Sequence, residues 1–343
     1  MSNSKVESKK IVGFVGRPAS IGGPGSFQER ITEVFINRGL SIVYPEDNIV
    51  PDIIFLIGGT RKLFWLFKCK IKGAKIIHRL DGINWRHSHY NFFSKRRFVY
   101  MYRNFNVSFI RSYLSDHIIY QSDFVKNWWE SKYSYLKKPS SIIRNGVDIN
   151  KFYPGNLDAK EIELLIVEGN IEDDHVTEHI VFNLCKSLIK LNIIKKINIV
   201  GNMPFSLNNK INKINKINKI NIVGPVSRES VKFYYEKKSI LLSLDLDAAC
   251  PNTVIEAMAS GIPVVGYDTG SLKELVSKEA GILKKYDGDL RNLDIPSVDV
   301  LVQSIKDIML SYPEYRIGAR KNAVDRFDIN EVSNLYLNIL FEI

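Results

Sequence analysis

The residues best suited to bind a phosphorylated ligand lie in one stretch, residues 249–276, which reads ACPNTVIEAMASGIPVVGYDTGSLKELV. Asn252 and Thr253 are good N-caps and Pro251 suits a first turn, so a helix is predicted to begin there. The free N–H groups at such a helix start suit a phosphate. Glu256, one turn inside, suits the paired hydroxyls of a ribose.

This stretch resembles the nucleotide-sugar site of the retaining, two-domain GT-B glycosyltransferases, in particular the large family 4 (glycosyl transferases group 1). The resemblance covers most of the chain. It implies that Glu256 binds the donor ribose, and that the helix start, Asn252 with the backbone of Thr253 and Val254, meets the donor diphosphate. The family usually has a second Glu eight residues earlier, near the transferred sugar, where this chain has Ala248.

A glycine-rich loop lies between the first predicted strand and the helix after it. Residues 10–15 read as a buried strand, and the loop contains Gly22, Gly23 and Gly25. Such a loop lets backbone amides approach a phosphate closely, although many loops of this composition are simple turns. The resemblance implies that this loop contacts the donor diphosphate.

Two charged residues lie at the carboxyl end of a strand predicted over residues 74–77, where open α/β sheets bind ligands. Arg79 and Asp81 are therefore candidate catalytic residues, and the alternative is that they merely pair with each other. Family members often carry a His followed by Asp or Gly here, with that His near the transferred sugar. By register Asp81 falls on that pair, whereas His78 lies earlier, within the strand.

The second half of the chain lacks two cations that the family uses. After its first strand the family continues Gly-Arg-Leu, with a Lys five residues after the Arg, and these cations neutralise the diphosphate. By register this chain has Asn170 and His175 there, so a source of transition-state stabilisation is missing. Either other bases substitute or activity is weak or absent. The candidate bases are Arg79, Arg144, Lys126 and Arg228.

Two short patterns imitate metal sites. Residues 175–179 match the inverted zincin motif H-x-x-E-H, but residues 182–199 contain no acid to serve as a third ligand. Asp245 and Asp247 imitate the metal-binding motif of the other glycosyltransferase fold. GT-B enzymes do not need a metal, so both patterns are interpreted as coincidence. We expect no metal ion and no cofactor besides the donor.

Positive charge is concentrated in one window. Residues 61–103 contain twelve Lys or Arg and one acid, which equals the net charge of +11 of the whole chain. This favours an anionic partner (nucleotide, acidic lipid surface or acidic glycan) or a solvated helix face. Within the window, residues 90–105 interleave aromatics with bases. They predict first an ordinary amphipathic helix, half core and half solvent, and second a helix on an anionic membrane. We expect no nucleic-acid partner.

The alternation of strands and helices predicts an α/β protein of two Rossmann-like doubly wound domains facing a cleft. The resemblance implies that this is the GT-B arrangement. The 343 residues suffice for two domains with good cores. The resemblance implies an N-terminal acceptor-side domain (1–155), a nucleotide-sugar-binding domain (156–327) and a C-terminal helix (328–343) that packs back on the first. Three scattered cysteines, and a first ten residues without the apolar centre of a signal peptide, predict a cytoplasmic protein. Peripheral contact with a membrane is the further expectation.

The residues alone indicate a nucleotide ligand between two domains, and the resemblance adds sugar transfer. It implies a retaining, hexosyltransferase-like enzyme, of a kind used in polysaccharide biosynthesis, with a UDP-, GDP- or ADP-linked donor and a glycan or lipid-linked acceptor. The alternative is a catalytically inactive scaffold that binds the nucleotide sugar, because Ala248, Asn170 and His175 depart from the family pattern. A sugar-nucleotide epimerase on this fold is a third hypothesis.

Overall fold

The computed structural model describes residues 10–18, 23–89, 92–155, 161–215 and 218–343. The chain forms two compact units. One comprises the described residues up to Arg144 together with Asn330–Ile343, and the other comprises Asn145–Ile329. The predicted roles of the two parts, acceptor side and donor side, stay predictions.

The first unit is built on a parallel sheet of six strands. Its strands are β1 (Ile11–Gly13), β2 (Ser41–Val43), β3 (Ile53–Ile57), β4 (Lys75–Leu80), β5 (His117–Tyr120) and β6 (Ser140–Ile142). Their order is β2-β1-β3-β4-β5-β6. The order reverses between β1 and β3, so the carboxyl ends of these strands form the switch point at which doubly wound sheets bind ligands.

Helices cover this sheet and fill its core. They are α1 (Gly23–Asn37), α2 (Leu63–Ile71), α3 (Lys95–Phe109) and α4 (Asp123–Tyr133). The apolar face of α1 repeats at helical spacing, and Phe27, Ile31 and Phe35 are buried against the sheet residue Phe55.

The second unit has its own six-stranded parallel sheet. Its strands are β7 (Glu163–Asn170), β8 (Ile197–Asn202), β9 (Ile220–Gly224), β10 (Ser239–Leu242), β11 (Val264–Tyr267) and β12 (Gly281–Lys284). The order β12-β11-β10-β7-β8-β9 is that of a dinucleotide-binding Rossmann sheet, with its switch point between β7 and β10.

Seven helices of the described residues flank the second sheet. They are α5 (His175–Lys190), α6 (Phe205–Ile214), α7 (Arg228–Tyr235), α8 (Asn252–Ala259), α9 (Leu272–Leu275), α10 (Asp299–Leu310) and α11 (Tyr312–Phe327). Helix α8 is buried almost all round, because Val254, Ala257 and Met258 have no exposed surface. Gly261, at a φ of 70°, ends it, as glycine commonly does after the last turn of a helix.

The last helix, α12 (Ile329–Glu342), belongs to the first unit from Asn330 onwards. Its residues Val332, Tyr336 and Leu340 lie in one buried cluster with Phe27 and Phe55. The Tyr336 ring is 5.4 Å from the Phe27 ring and 5.6 Å from the Phe55 ring. The chain end therefore completes the core of the first unit.

The aromatic and basic stretch differs from the first of its two sequence interpretations. Tyr90 and Asn91 lie outside the described residues, and α3 begins only after Ser94, whose backbone is extended. In α3 the buried residues are Asn104 and Asn106. Phe98 and Phe105 face solvent, and only at the end of the helix does Phe109 pack against a core cluster. The predicted stretch therefore does not bury an apolar half, and that interpretation is wrong. Within the described ranges, no helix is both long and apolar enough to cross a membrane.

Candidate functional site

Arg79 and Asp81 form an ion pair at the carboxyl end of β4. The Arg79 Nη1 atom donates to the Asp81 Oδ1 atom at 3.2 Å, and the Arg79 Nε atom donates to the Tyr336 hydroxyl at 3.2 Å. The Arg79 side chain is 1% exposed, whereas the Asp81 side chain is 34% exposed. The two predicted residues are therefore in contact, and the carboxylate is the accessible member.

Neighbouring side chains fix the position of Asp81. Gln121 Nε2 donates to the Asp81 Oδ1 atom and, at 3.1 Å, to the Leu80 carbonyl. Trp129 Nε1 donates to the Asp81 carbonyl at 2.8 Å. Burial raises the pKa of the Asp81 carboxyl, while the Arg79 charge and the Gln121 hydrogen bond oppose this shift. A carboxylate held in this way is suited to accept a hydrogen bond from a ligand hydroxyl.

The glycine-rich loop leads into α1 close to this ion pair. Gly23 and Gly25 lie in the first turn of α1, whereas Gly22 lies outside the described residues. Phe27, one turn further, places its ring 3.7 Å from the guanidinium carbon of Arg79. The first turn of α1, whose N–H groups suit an anion, is thus close to the Arg79 and Asp81 pair.

His78 lies on the opposite face of β4 from Arg79, since side chains alternate along a strand. It is fully buried, and its Nε2 atom donates to the Gly58 carbonyl at 2.8 Å. Burial lowers the pKa of His78 to about 4, so the ring is neutral at neutral pH. The prediction that His78 lies within the strand is confirmed.

In the second unit, α8 begins at Asn252, within the stretch where a helix start is predicted. Pro251 is its extended N-cap and not part of its first turn, so the predicted N-cap roles of Asn252 and Thr253 are wrong. Thr253 and Val254 complete its first turn, and Glu256 lies one turn inside with 9% of its surface exposed. The first N–H groups of an α-helix have no hydrogen-bond acceptor within the helix, so they are available to a ligand. Helix α8 therefore combines phosphate-type donors with a nearly buried carboxylate.

The loop before α8 is fixed from two sides. Asn145 Nδ2 donates to the Cys250 carbonyl at 2.7 Å, and the Ser271 N–H donates to the Ala248 carbonyl at 2.9 Å. Gly270 has a φ of 58°, and a Cβ added to it would lie 2.7 Å from the Ala248 nitrogen. Because Ala248 is only 1% exposed, this tight turn leaves little room for a longer side chain at that position.

Asn170 and His175, the residues at the two cation positions of the family, have neutral hydrogen-bond partners. Asn170 ends β7, and its Oδ1 atom accepts from Asn202 Nδ2 at 3.1 Å. His175 begins α5, and its Nε2 atom donates to the Leu293 carbonyl at 2.8 Å. Both side chains are held within this unit by uncharged groups.

A bidentate ion pair joins Asp247 to Arg291. The sequence did not lead us to predict a role for Arg291. The Arg291 Nη1 and Nη2 atoms donate to the two Asp247 oxygens at 2.8 and 3.2 Å. The side chains are 9% exposed for Asp247 and 43% exposed for Arg291. In the sequence Arg291 lies in a polar loop, and its only signal is that the loop follows a strand whose carboxyl end belongs to the ligand edge.

Glu168 lies near the carboxyl end of β7, beside the switch point. Burial, together with the Asp245 carboxylate, raises the pKa of Glu168 to about 8. Asp245 follows β10, the neighbour of β7 in the sheet. Shifted carboxyl groups are frequent at functional sites, and this one lies where the fold binds ligands.

The metal-like patterns have other partners. His175 contacts the Leu293 carbonyl, and the His179 Nδ1 atom accepts from Asn183 Nδ2 at 3.1 Å. Across the part of the chain that the structure describes, no group of three or more His, Cys, Asp or Glu could hold a metal ion.

Two of the four bases proposed as substitutes for the missing cations already have carboxylate partners. Arg79 pairs with Asp81, and the Arg144 Nη2 atom lies 3.0 Å from the Asp123 Oδ2 atom. Lys126 lies on α4 and Arg228 begins α7.

Known structures of the same architecture establish the fold. Sucrose-phosphate synthase from Thermosynechococcus elongatus is 13% identical, with a TM-score of 0.76 over 97% of this chain and 98% of that chain. HepE from Anabaena in complex with UDP is 14% identical, with a TM-score of 0.71 over 97% of this chain and all (100%) of that chain. The chain has the GT-B glycosyltransferase fold.

A sequence match supports the GT-B assignment independently. Residues 178–317 match the family model described as Glycosyl transferases group 1, and this range contains the whole of α8. The pneumococcal O-GlcNAc transferase GtfA in complex with UDP and GlcNAc is 15% identical, with a TM-score of 0.64 over 84% of this chain and 56% of that chain. No curated protein matches the sequence. The predicted α/β GT-B fold class is confirmed.

Proposed function

We propose that the chain is a retaining glycosyltransferase of family 4 that transfers a hexose from a nucleotide-diphosphate sugar. The observation that carries the proposal is the position of Glu256. It is a nearly buried carboxylate one turn inside α8, a helix that follows β10 at the switch point of a Rossmann-ordered sheet. The stretch that matches the group 1 model contains this helix.

In this proposal the second unit binds the nucleotide. Glu256 accepts hydrogen bonds from the ribose hydroxyls, and the first turn of α8, with Asn252, Thr253 and Val254, donates backbone N–H groups to the diphosphate. Asn170 and His175 would border the same donor without supplying charge.

The residues of the first unit are assigned to the phosphate and the reacting sugar. In the proposal, the glycine-rich loop with Gly22, Gly23 and Gly25 contacts the donor phosphates. Asp81 binds a hydroxyl of the transferred sugar, and Arg79 holds the Asp81 carboxylate in position at 3.2 Å.

Retaining transfer breaks the bond between the anomeric carbon and the diphosphate oxygen, and an acceptor oxygen bonds to the same face of the sugar. The acceptor hydroxyl gives its proton to an oxygen of the departing diphosphate, and the electron pair of the broken bond leaves with that diphosphate. The chain contributes by position and charge. The N-terminus of α8 stabilises the negative charge that develops on the leaving phosphate, and Asp81 orients the sugar.

UDP-linked hexoses are the first donors to test, before GDP- and ADP-linked ones. HepE from Anabaena has been crystallised with UDP-glucose and with UDP and glucose, and GtfA with UDP and GlcNAc. These ligands belong to those proteins, and they motivate the same choice for this chain. No metal ion takes part in the mechanism proposed here.

We propose a glycan or lipid-linked acceptor, presented at an anionic membrane that the cytoplasmic protein touches peripherally. Phe93, Phe98 and Phe105 are 88%, 55% and 67% exposed, in and just before α3. Lys95 and Arg96 begin the same helix. Exposed aromatics next to bases are typical of a helix that lies in a membrane interface.

A donor panel distinguishes the enzyme from the inactive scaffold that Ala248, Asn170 and His175 also allow. UDP-, GDP- and ADP-hexoses are incubated with the protein, and nucleotide release is measured with and without EDTA. The proposal predicts turnover that survives EDTA and a product with the anomeric configuration of the donor, read by NMR. Binding without any turnover would favour the scaffold, and an inverted product would contradict retention.

A further inference from the structure

An irregular segment in the second unit crosses the ligand edge of its sheet. We define the strap as residues 286–297, between β12 and α10. At its two ends, the Tyr286 ring lies 5.3 Å from the Tyr267 ring, and the Tyr267 hydroxyl donates to the Ser297 carbonyl at 2.9 Å. Within the strap, the Tyr286 hydroxyl donates to the Asp294 carbonyl. The strap is therefore tied to the end of β11 and to itself.

The middle of the strap reaches the switch point. Strand β12 is the edge strand, and β11 and β10 lie between it and β7. Arg291 nevertheless pairs with Asp247, beyond the end of β10, and the Leu293 carbonyl accepts from His175, at the start of the helix that follows β7. These contacts carry the strap across the carboxyl ends of the intervening strands.

The strap contacts one position where the family resemblance leads us to expect charge, and the residue next to a second such position. His175 stands where the family has a Lys, and Asp247 directly precedes Ala248, where the family has a Glu. Leu293 is 7% exposed and has a φ of 58°, a left-handed conformation that is costly for a leucine. Backbone strain of this kind persists only where surrounding contacts impose it, and it is frequent at functional sites.

Arg291 has the chemistry to bind a phosphate from this position. Its guanidinium is always charged and matches phosphate oxygens geometrically. The bidentate contact with Asp247 fixes its orientation, and 43% of the side chain is still exposed, so a ligand can reach it. Asp247 itself is only 9% exposed, which favours a role in holding the arginine.

We propose that Arg291 binds the diphosphate of the donor and replaces the positive charge that Asn170 and His175 lack, with Asp247 as its positioning residue. This inference rests on the proposed function. The strap thus supplies a cation that positions 170 and 175 do not provide, and this cation comes from a different part of the second unit.

The test compares a nucleoside diphosphate with its nucleoside, because only the diphosphate carries the group that Arg291 would bind. UDP, GDP and ADP are titrated calorimetrically into the unmodified protein, and the one that binds is compared with its nucleoside in competition. R291Q is predicted to weaken diphosphate binding about tenfold or more and nucleoside binding about twofold or less. R291K is predicted to recover part of the loss, and D247N to cause a smaller loss that is also confined to the diphosphate.

K306Q is the matched control, since Lys306 is an exposed cation on α10 outside the strap. It removes one positive charge and is predicted to change neither affinity. Equal losses for the diphosphate and the nucleoside in R291Q would assign Arg291 a purely structural role and overturn the inference. Unchanged diphosphate binding in R291Q would overturn it too, while leaving the proposed function intact. If no nucleoside diphosphate binds the unmodified protein, the proposed function itself fails.

Discussion

The guanidinium of Arg79 donates to the carboxylate of Asp81 across 3.2 Å, although the first side chain is 1% exposed and the second 34% exposed. Burying an arginine side chain almost completely costs free energy unless an opposite charge and hydrogen-bond acceptors compensate its charge. Here Asp81 supplies the opposite charge, Tyr336 supplies a hydroxyl, and the Phe27 ring supplies a stacking face. The pair therefore stabilises the first unit and also presents a carboxylate at the ligand edge of its sheet.

Replacing Asp81 by Asn is predicted to affect both roles of the pair. The amide keeps the size of the side chain but removes the charge opposite Arg79, so the free energy of unfolding should fall by about 1–3 kcal/mol. If Asp81 orients the transferred sugar, kcat should fall about tenfold or more while donor affinity changes little. Thermal unfolding and steady-state kinetics measure the two effects.

Asp123→Asn is the control for this change, because Asp123 pairs with Arg144 at 3.0 Å with a side chain 57% exposed. An exposed pair should contribute less than about 1 kcal/mol. A D81N protein with unchanged kcat would remove Asp81 from the catalytic assignment.

Tyr336→Phe is predicted to weaken the first unit through its last helix. The hydroxyl accepts from Arg79 Nε at 3.2 Å, and the ring packs on Phe27 and Phe55. Loss of the hydroxyl alone should cost about 1–2 kcal/mol, because it leaves a buried N–H donor without that acceptor. Tyr336→Ala should cost about 3–5 kcal/mol, since the ring fills the core. Equal unfolding midpoints for both variants and the unmodified protein would contradict the packing described here.

The raised pKa of Glu168 predicts that the free energy of unfolding falls as pH rises. Its carboxyl has an ordinary pKa of 4.5, and burial with the nearby Asp245 raises it to about 8 in the folded protein. Between these values the folded chain binds a proton that the unfolded chain has released, so each rise in pH favours unfolding. Stability from this group is complete below about pH 4.5 and is lost as pH passes through 8.

The measurement is made from about pH 6.5 to 8.5, because His78, whose pKa is lowered to about 4, stays neutral there in the folded protein. Across that range the Tm of the second unit should fall by about 2–5 °C in the unmodified protein and by less in Glu168→Gln. Glu314→Gln, an exposed change on α11, should retain the full fall. Parallel curves for the unmodified protein and the Glu168 variant would show that this carboxyl is not buried as a neutral acid.

The exposed aromatic and basic surface at α3 predicts binding to anionic vesicles. The protein should sediment with phosphatidylglycerol vesicles at low salt and not with phosphatidylcholine vesicles, because the attraction is electrostatic and screened by salt. Charge reversal at Lys95, Arg96 and Arg97 should abolish the binding. Phe93→Ser, which removes an 88% exposed ring, should weaken it with the charge unchanged. Failure of the unmodified protein to bind at low salt would end the membrane proposal.

Local patterns predicted much of the second unit. The position of α8 after Pro251, its end at Gly261 and the buried strand β11 follow from proline and glycine chemistry that acts over a few residues. The apolar run 239–244 likewise predicts a strand and the periodicity of 298–310 a helix, and the observed β10 and α10 end within one or two residues of these bounds. The apolar face of α1 belongs to the same class.

Long-range contacts explain what the sequence did not reveal. Arg291 and Asp247 are 44 residues apart, and only the sheet order brings the strap to β10. The outward-facing aromatics of α3 have helical spacing, which is typical of a face that packs in the core. The local sequence does not indicate which face of the helix packs against the rest of the unit. Residues 210–221 repeat Lys-Ile-Asn with a period of three, which fits neither a helix nor a strand. The first part of this repeat nevertheless continues α6, because Leu207 and Ile211 are buried against the unit.

We propose that the carboxylate of Glu256 holds the nucleotide sugar. The test is calorimetric titration of UDP, GDP and ADP into the unmodified protein and into its Glu256→Ala variant. Glu314→Ala serves as the control for loss of an acid. Loss of hydrogen bonds from a ribose to a nearly buried carboxylate should weaken binding about tenfold to a hundredfold, while the control binds as before. A Glu256→Ala protein that is folded and binds the nucleotide as tightly as the unmodified one would contradict the account.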